Sequence, residues 1–244
     1  MTLLLTNRPC KLVSAPRRHE RFSSSNLRVI GLFTLAALCL LAPQFARSQD
    51  SAIPAETKKP ARQPVESELI VEGAGPFGHV HFLTSSWWSY LYTGGVEYDR
   101  HSWGNFIGAR MDYVAEVLPV AILRQPAKTD VWGDPLTPAK ETVPGAALSP
   151  IGLRMMWRSS QSIKPYFITK GGLILFDKKA LSQYASYGNM LLQVGVGVQF
   201  RLTKRFDMRA GVGYMHFSDA FVVPSNPGLD VMNYNGGLSY HFGK

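Results

Sequence analysis

The segment MLLQVGVGVQFRLT, residues 190–203, alternates between two kinds of side chain with a period of two. Its even positions from Met190 to Leu202 are all apolar, whereas its odd positions from Gln193 to Thr203 are all small or polar. Successive side chains of a β-strand point to opposite faces of the sheet. The segment therefore predicts a strand with one apolar face and one face that suits a wet or crowded interior.

The same alternation continues on both sides of this segment. After a short turn at 204–205, a strand from Phe206 has apolar residues at its even positions as far as Tyr214. The last strand ends on Phe242, which lies on an apolar face. Toward the N-terminus, the pattern predicts five more strands, near 69–83, 88–100, 104–118, 147–158 and 164–177. The total is eight strands.

The predicted connections alternate in length. Short ones lie at 101–103, 159–163 and 204–205, and longer ones at 119–146, 178–188 and 219–230, with 84–87 as an exception. Outer-membrane barrels have short turns at one end and longer loops at the other. Strands of about 12 residues also exceed the usual length in soluble sheets. Aromatic residues, which form belts at membrane interfaces, lie near the predicted strand ends: Trp87, Trp88, Tyr90, Tyr92, Trp103, Trp157, Tyr214, Tyr240 and Phe242.

These patterns predict an all-β fold, an eight-stranded antiparallel up-and-down transmembrane β-barrel over residues 68–244. The alternative is a soluble lipocalin-like barrel, whose apolar residues would face inward. The glycines on the polar face favour the membrane barrel, because a narrow lumen needs small residues and a solvent-exposed face does not. Side chains fill the interior of an eight-stranded barrel, so we do not expect a channel.

The basic charge of the chain is concentrated at its N-terminus. Residues 1–48 hold seven of the 26 Lys and Arg residues and one of the 17 Asp and Glu residues, so 19 basic and 16 acidic groups remain in the rest. This distribution argues against nucleic-acid binding. A basic stretch, an apolar run at 29–42 and small residues near Ser48 predict a signal peptide over 1–48, since a spanning helix needs about 20 residues. Residues 49–67 predict a flexible polar leader.

Two residues on the strand from Phe206 are candidates for nucleophilic catalysis. His216 and Ser218 are two positions apart, so their side chains are neighbours on the apolar, lipid-facing side of the strand. A His nitrogen can reach a Ser hydroxyl there, and the natural partner of such a pair is an acyl ester in the membrane. The alternative is an ordinary strand end at the level of the headgroups.

The stretch YMHFSDA, residues 214–220, and the stretch SNPGLD, residues 225–230, resemble the C-terminal signature of the outer-membrane lipid A 3-O-deacylases, the acyloxyacyl hydrolase-like family. The resemblance implies an exported outer-membrane serine esterase that removes the 3-O-linked acyl chain of lipid A. It assigns Ser218 as nucleophile, His216 as base, Asp230 as the acid that orients the imidazole, and Asn226 as an oxyanion donor. No cofactor or metal is implied, and the sequence leaves open whether the barrel forms a homodimer.

The chain departs from this signature at two positions. Asp219 follows the serine where the family has Asn, which places a carboxyl group next to the oxyanion site, and Asp230 stands where the family commonly has Glu. Two other functions therefore stay open: a catalytically silent structural or adhesion barrel, and an outer-membrane phospholipase or esterase. His79 and His81 alternate on one strand like a metal-binding pair, but no further ligand lies at a useful spacing.

Overall fold

The computed structural model describes residues 66–84, 86 and 88–242. Eight strands run through this part of the chain: β1 (Ser67–His79), β2 (Tyr90–Phe106), β3 (Ala109–Pro126), β4 (Lys140–Trp157), β5 (Ile163–Phe176), β6 (Gly188–Arg201), β7 (Phe206–Ser218) and β8 (Leu229–Phe242). Each strand pairs antiparallel with the next, and β1 also pairs with β8, so the sheet closes on itself. The predicted eight-stranded barrel is confirmed.

Several predictions fall outside the described residues. The signal peptide predicted at 1–48, nearly all of the leader predicted at 49–67, and Trp87 belong to this group. Within the part of the chain that the structure describes, no helix has the length and apolar character needed to cross a membrane.

The connections alternate in length without exception among the described strands. Short turns at 107–108, 158–162 and 202–205 lie at one end of the barrel, called here the short-turn end. Longer loops at 80–89, 127–139, 177–187 and 219–228 lie at the other, the long-loop end. The short connection predicted at 84–87 is thus part of a longer loop.

The turn predicted at 101–103 is wrong. β2 continues to Phe106, and the pairing with β3 only shifts its register between His101 and Asn105. The turn itself is Ile107-Gly108, where both residues have positive φ angles of 48° and 71°. The polar residues that suggested a turn belong instead to an irregularity inside a long hairpin.

The loop predicted at 119–146 is too long. β3 extends to Pro126 and β4 begins at Lys140, which leaves the loop 127–139. Pro119 lies between Leu118 and Ala121, where the register of β3 against β4 shifts. Proline cannot donate to a ladder, so it is accommodated at such irregularities. The prolines in this stretch interrupt the alternation, so the pattern alone did not predict the end of β3 or the start of β4.

The outward face of the barrel is apolar. Large exposed side chains cover it on all eight strands, including Leu69, Val96, Val117, Leu148, Leu173, Val196, Met208 and Leu238. Exposed aromatic residues lie toward both ends, with Trp88 and Tyr92 near the long loops and Trp103, Tyr240 and Phe242 near the short turns. This is the outward-facing band of a transmembrane barrel, and it excludes the lipocalin-like arrangement.

Paired charges fill the barrel interior at its middle and in its short-turn half. Arg154 is fully buried and contacts Glu68, Asp99 and Asp112. Lys170 contacts Glu72, Glu97 and Glu116 in the same way. The sequence pattern predicted small or polar interior residues but did not reveal this network, because its members come from distant strands.

The interior of the long-loop half is apolar. Its buried cluster includes Leu91, Leu123, Val143, Ile174, Phe176, Leu191, Met215, Phe217, Leu229 and Val231. These side chains close the lumen beneath the long loops. The end of the β7–β8 pair that carries His216 therefore lies over an apolar, packed layer.

Candidate active site

The pairing of β7 with β8 brings the proposed acid opposite the proposed base. His216 is the direct cross-strand partner of Asp230, and Phe217 is the partner of Leu229. Phe217 and Leu229 are buried in the apolar interior. Because side chains alternate, His216, Ser218 and Asp230 share the outward face at the long-loop end.

The three side chains form a continuous chain of hydrogen bonds. His216 Nδ1 lies 2.7 Å from Asp230 Oδ1, and His216 Nε2 lies 3.1 Å from Ser218 Oγ. With the Nδ1 proton donated to the carboxylate, Nε2 is the acceptor for the Ser218 hydroxyl. Asp230 reaches the imidazole although it is one methylene shorter than Glu, because the register places it directly across the ladder.

Asp230 is fully buried and held on both oxygens. Its Oδ2 accepts the backbone N–H groups of Phe82, Leu83 and Thr84, at 2.9, 2.6 and 3.1 Å. Its Oδ1 also accepts the Tyr214 hydroxyl at 2.7 Å. Residues 82–84, which follow the neighbouring strand β1 in the chain, thus cover the acid.

The sequence reasoning missed both of these supports. Tyr214 stands two positions before His216, so the same period of two that pairs His216 with Ser218 points to it. Residues 82–84 act through their backbone N–H groups, which no side-chain pattern reveals. The contact spans 146 positions of the chain.

Asp219 and Asn226 contact each other beside the nucleophile. The Asp219 N–H donates to Asn226 Oδ1 at 3.0 Å, so this N–H is engaged and the Asn226 amide group is oriented. Asp219 Oδ1 accepts the Phe221 N–H at 3.0 Å. Asp219 Oδ2 is buried without a hydrogen-bond partner among the described residues. Burial raises the pKa of the Asp219 carboxyl above its ordinary value, against the opposing effect of the Phe221 N–H.

The chain turns sharply after the serine. Ala220 and Phe221 have positive φ angles of 53° and 63°, a backbone region that residues other than glycine rarely adopt. Backbone strain of this kind is often found at functional sites. The turn exposes Phe221 and Val222, while Phe82 and Leu83 are exposed on the loop that holds Asp230. Apolar side chains of two loops therefore lie around the hydrogen-bonded side chains of Asp230, His216 and Ser218.

His79 on β1 and His81 in the loop after it each contact a backbone carbonyl. His79 Nε2 lies 2.6 Å from the Ser89 carbonyl, and His81 Nδ1 lies 3.2 Å from the Thr84 carbonyl. Neither belongs to the groups of potential metal ligands found among the described residues. One of those groups, Glu72, Glu97 and Glu116, surrounds the Lys170 ammonium.

A comparison with protein families decides the affiliation of this barrel. The sequence matches the family described as lipid A 3-O-deacylase (PagL) over residues 79–239, which is more than half of the chain. The chain belongs to the lipid A 3-O-deacylase family. The resemblance predicted from residues 214–230 is confirmed, and the match extends far beyond that segment.

Solved barrels are similar to this member of the lipid A 3-O-deacylase family. The outer membrane enzyme PagL is 15% identical, with 70% of this chain and 97% of that chain covered at a TM-score of 0.46. Outer Membrane Protein W of E. coli is 13% identical, with 75% and 100% covered at a TM-score of 0.44. OprG of Pseudomonas aeruginosa is 11% identical, with 75% and 98% covered at a TM-score of 0.43. No curated protein sequence matches the chain.

Proposed function

We propose that this protein is an outer-membrane serine esterase that hydrolyses the 3-O-linked acyl chain of lipid A. The observation that carries the proposal is the chain of hydrogen bonds from Asp230 through His216 to Ser218 on the outward face of a membrane barrel. Family membership supports lipid A as the substrate. The predicted signal peptide supports export to the outer membrane.

In the proposed mechanism, Ser218 Oγ attacks the ester carbonyl while His216 Nε2 takes its proton. The tetrahedral intermediate collapses when His216 returns the proton to the departing 3-hydroxyl oxygen of the sugar. Water then attacks the acyl-Ser218 ester while His216 takes its proton, and His216 returns this proton to Ser218 Oγ as the acyl–oxygen bond breaks and the fatty acid leaves. Asp230 keeps the imidazole in the tautomer with its proton on Nδ1 and stabilises the charged form.

Asn226 is the proposed oxyanion donor. Its Oδ1 is engaged by the Asp219 N–H, so the amide NH₂ group is turned away from that contact and is the donating end. Loss of one such donor typically slows catalysis by about a hundred- to a thousandfold. The Asp219 N–H, the first backbone N–H after Ser218, is itself engaged by Asn226, so in this proposal the Asn226 amide group supplies the oxyanion contact.

The surroundings of Ser218 suit a membrane-bound ester. Ser218 is half-buried on the same outward face as the apolar band, and exposed Phe82, Leu83, Phe221 and Val222 flank it. A substrate held in the outer leaflet reaches such a site without leaving the membrane. An acyl chain can lie along these side chains while its ester meets the serine.

The test is mass spectrometry of lipid A after incubation with the detergent-refolded protein. We expect loss of a single 3-hydroxyacyl chain, abolished by Ser218→Ala. Ser102→Ala is the matched control, since Ser102 lies at the short-turn end and is exposed. Unchanged lipid A with a folded barrel would favour a silent structural or adhesion barrel, with the Asp219 carboxyl as the suspected cause. Release of fatty acid from glycerophospholipid in mixed lipids, with lipid A intact, would favour a phospholipase.

A further inference from the structure

A groove at the long-loop end lies apart from the proposed triad. Its volume is about 610 Å³, and its walls include Trp88, Tyr90, Leu136 and Lys140, together with prolines of the loop 127–139. The triad lies across β7 and β8, whereas this groove lies at the start of β2 and the end of β3. β1 stands between the two places.

The groove is continuous with the apolar outward face. Tyr90 and Tyr92 point the same way on β2, and Tyr92 is exposed with Ile122 as its cross-strand partner. Trp88 and Leu136 are exposed at the rim, with 43% and 63% of their surface accessible. An acyl chain lying on the outward face of β2 can thus extend between these aromatic side chains into the groove.

Two cations adjoin this aromatic wall. The Lys140 ammonium lies 5.0 Å from the centre of the Tyr90 ring and donates one hydrogen bond to the Trp88 carbonyl at 3.0 Å. An ammonium has three N–H donors, so two are left. Arg124 is exposed and is the cross-strand partner of Tyr90.

One carboxylate, Asp134, adjoins the aromatic wall, and a second, Glu141, is engaged by other side chains. Asp134 accepts the indole N–H of Trp88 at 3.2 Å. Glu141, next to Lys140 in the chain, accepts Gln125 and Lys178 at 3.0 Å each. Two cations, Arg124 and Lys140, therefore stand against one carboxylate, Asp134, beside the aromatic wall, and the balance of charge there is positive.

We infer that this groove binds a phosphorylated lipid of the surrounding leaflet. Its phosphate contacts Arg124 and Lys140, and an acyl chain lies against Trp88, Tyr90 and Tyr92. Cationic side chains form strong charge-assisted hydrogen bonds to phosphate, and aromatic side chains suit the membrane interface. An uncharged acyl chain would not use the two cations, and a soluble phosphate would not use the aromatic wall.

The test measures lipid binding without hydrolysis, in the Ser218→Ala protein purified in detergent. Native mass spectrometry compares three probes: phosphatidic acid, diacylglycerol with the same chains, and glycerol 3-phosphate. We expect phosphatidic acid to bind about tenfold more tightly than either of the others, by analogy with hydrogen bonds to charged groups. Arg124→Gln and Lys140→Gln should each remove most of this preference, and Trp88→Leu should weaken phosphatidic acid and diacylglycerol alike.

Lys204→Gln is the matched control, because Lys204 is an exposed cation in the turn at the opposite end. Equal binding of phosphatidic acid and diacylglycerol would overturn the inference, as would an equal loss in Lys204→Gln and Lys140→Gln. Equally tight binding of glycerol 3-phosphate would replace the lipid site by a phosphate site. None of these outcomes depends on deacylase activity, so the proposed function is tested separately.

Discussion

The two halves of the β7–β8 pair have opposite distributions of polar side chains. Near the short turns, Met208 is exposed on the outward face while Arg209 is buried inside among carboxylates. Near the long loops, His216 and Asp230 lie on the outward face while Phe217 is fully buried inside. The strands keep one continuous alternation throughout, so the reversal results from the choice of residues and not from a change of register.

This difference shows how one barrel supports two environments. In the short-turn half, charges are paired inside the barrel, and the hydrocarbon of the membrane contacts an apolar outer surface. In the long-loop half, an apolar, packed interior lies beneath Asp230, His216 and Ser218. Electrostatic interactions are stronger in apolar surroundings than in bulk water. We therefore expect substitutions in the first half to act on stability and substitutions around Asp230 to act on rate.

The largest expected effect comes from removing the central cation of the short-turn half. Arg154→Met leaves Glu68, Asp99 and Asp112 together without the guanidinium that contacts each of them. Removal of one partner of a buried ion pair typically costs about 3–5 kcal/mol. We expect the free energy of unfolding in detergent, measured by urea titration, to fall by this amount. Lys204→Gln should leave it unchanged, and an unaffected Arg154→Met protein would show that the network contributes nothing to stability.

A smaller loss of stability is expected from the apolar interior of the long-loop half. Phe217 is fully buried and its ring centre lies 5.5 Å from that of Phe176. Phe217→Leu should reduce the free energy of unfolding by about 1–2 kcal/mol, as lost packing typically does. Activity per folded molecule should persist. If the rate fell with stability intact, Phe217 would belong to the site and the division between the two faces would be wrong.

Tyr214→Phe should affect the rate and leave the fold in place. It removes one of the two side-chain donors to Asp230 Oδ1. Since hydrogen bonds to charged groups contribute about 1.5–3 kcal/mol, we expect kcat to fall about tenfold with KM unchanged. Without this donor the carboxylate is held less rigidly, and so is the imidazole that it orients toward Ser218. Tyr234→Phe, on the exposed surface of β8, is the control; an unchanged kcat in Tyr214→Phe would show that Tyr214 does not position the acid.

The smallest expected effect concerns Asp219. Burial raises the pKa of its carboxyl, so the group is charged only above this raised value and becomes neutral as the pH falls through it. The charged form opposes a developing oxyanion. Asp219→Asn should therefore increase kcat/KM at alkaline pH, by roughly threefold for a partly screened charge. The ratio of variant to wild-type should approach one as the pH falls; Asp177→Asn in another long loop is the control. A ratio independent of pH would sink this explanation.

The sequence predicted the parts of the molecule that depend on local periodicity. The alternation at 190–203 and from Phe206 onward placed β6 and β7 within two residues of their observed ends. The spacing of His216 and Ser218 placed their side chains together on the outward face, and the position of Asp230 followed from the resemblance. The long β2–β3 and β3–β4 hairpins were less predictable, since a bulge near His101 and a proline at 119 interrupt the pattern.

The sequence by itself determined that the chain alternates, that it forms eight strands, and which face of each strand is apolar, because a period of two is a property of neighbouring residues. Only the tertiary structure decided which distant groups meet. The three N–H groups of residues 82–84 reach Asp230, and Arg154 meets Glu68, Asp99 and Asp112, because closure of the barrel brings together positions far apart in the chain. Such contacts depend on register and closure, which no local pattern encodes.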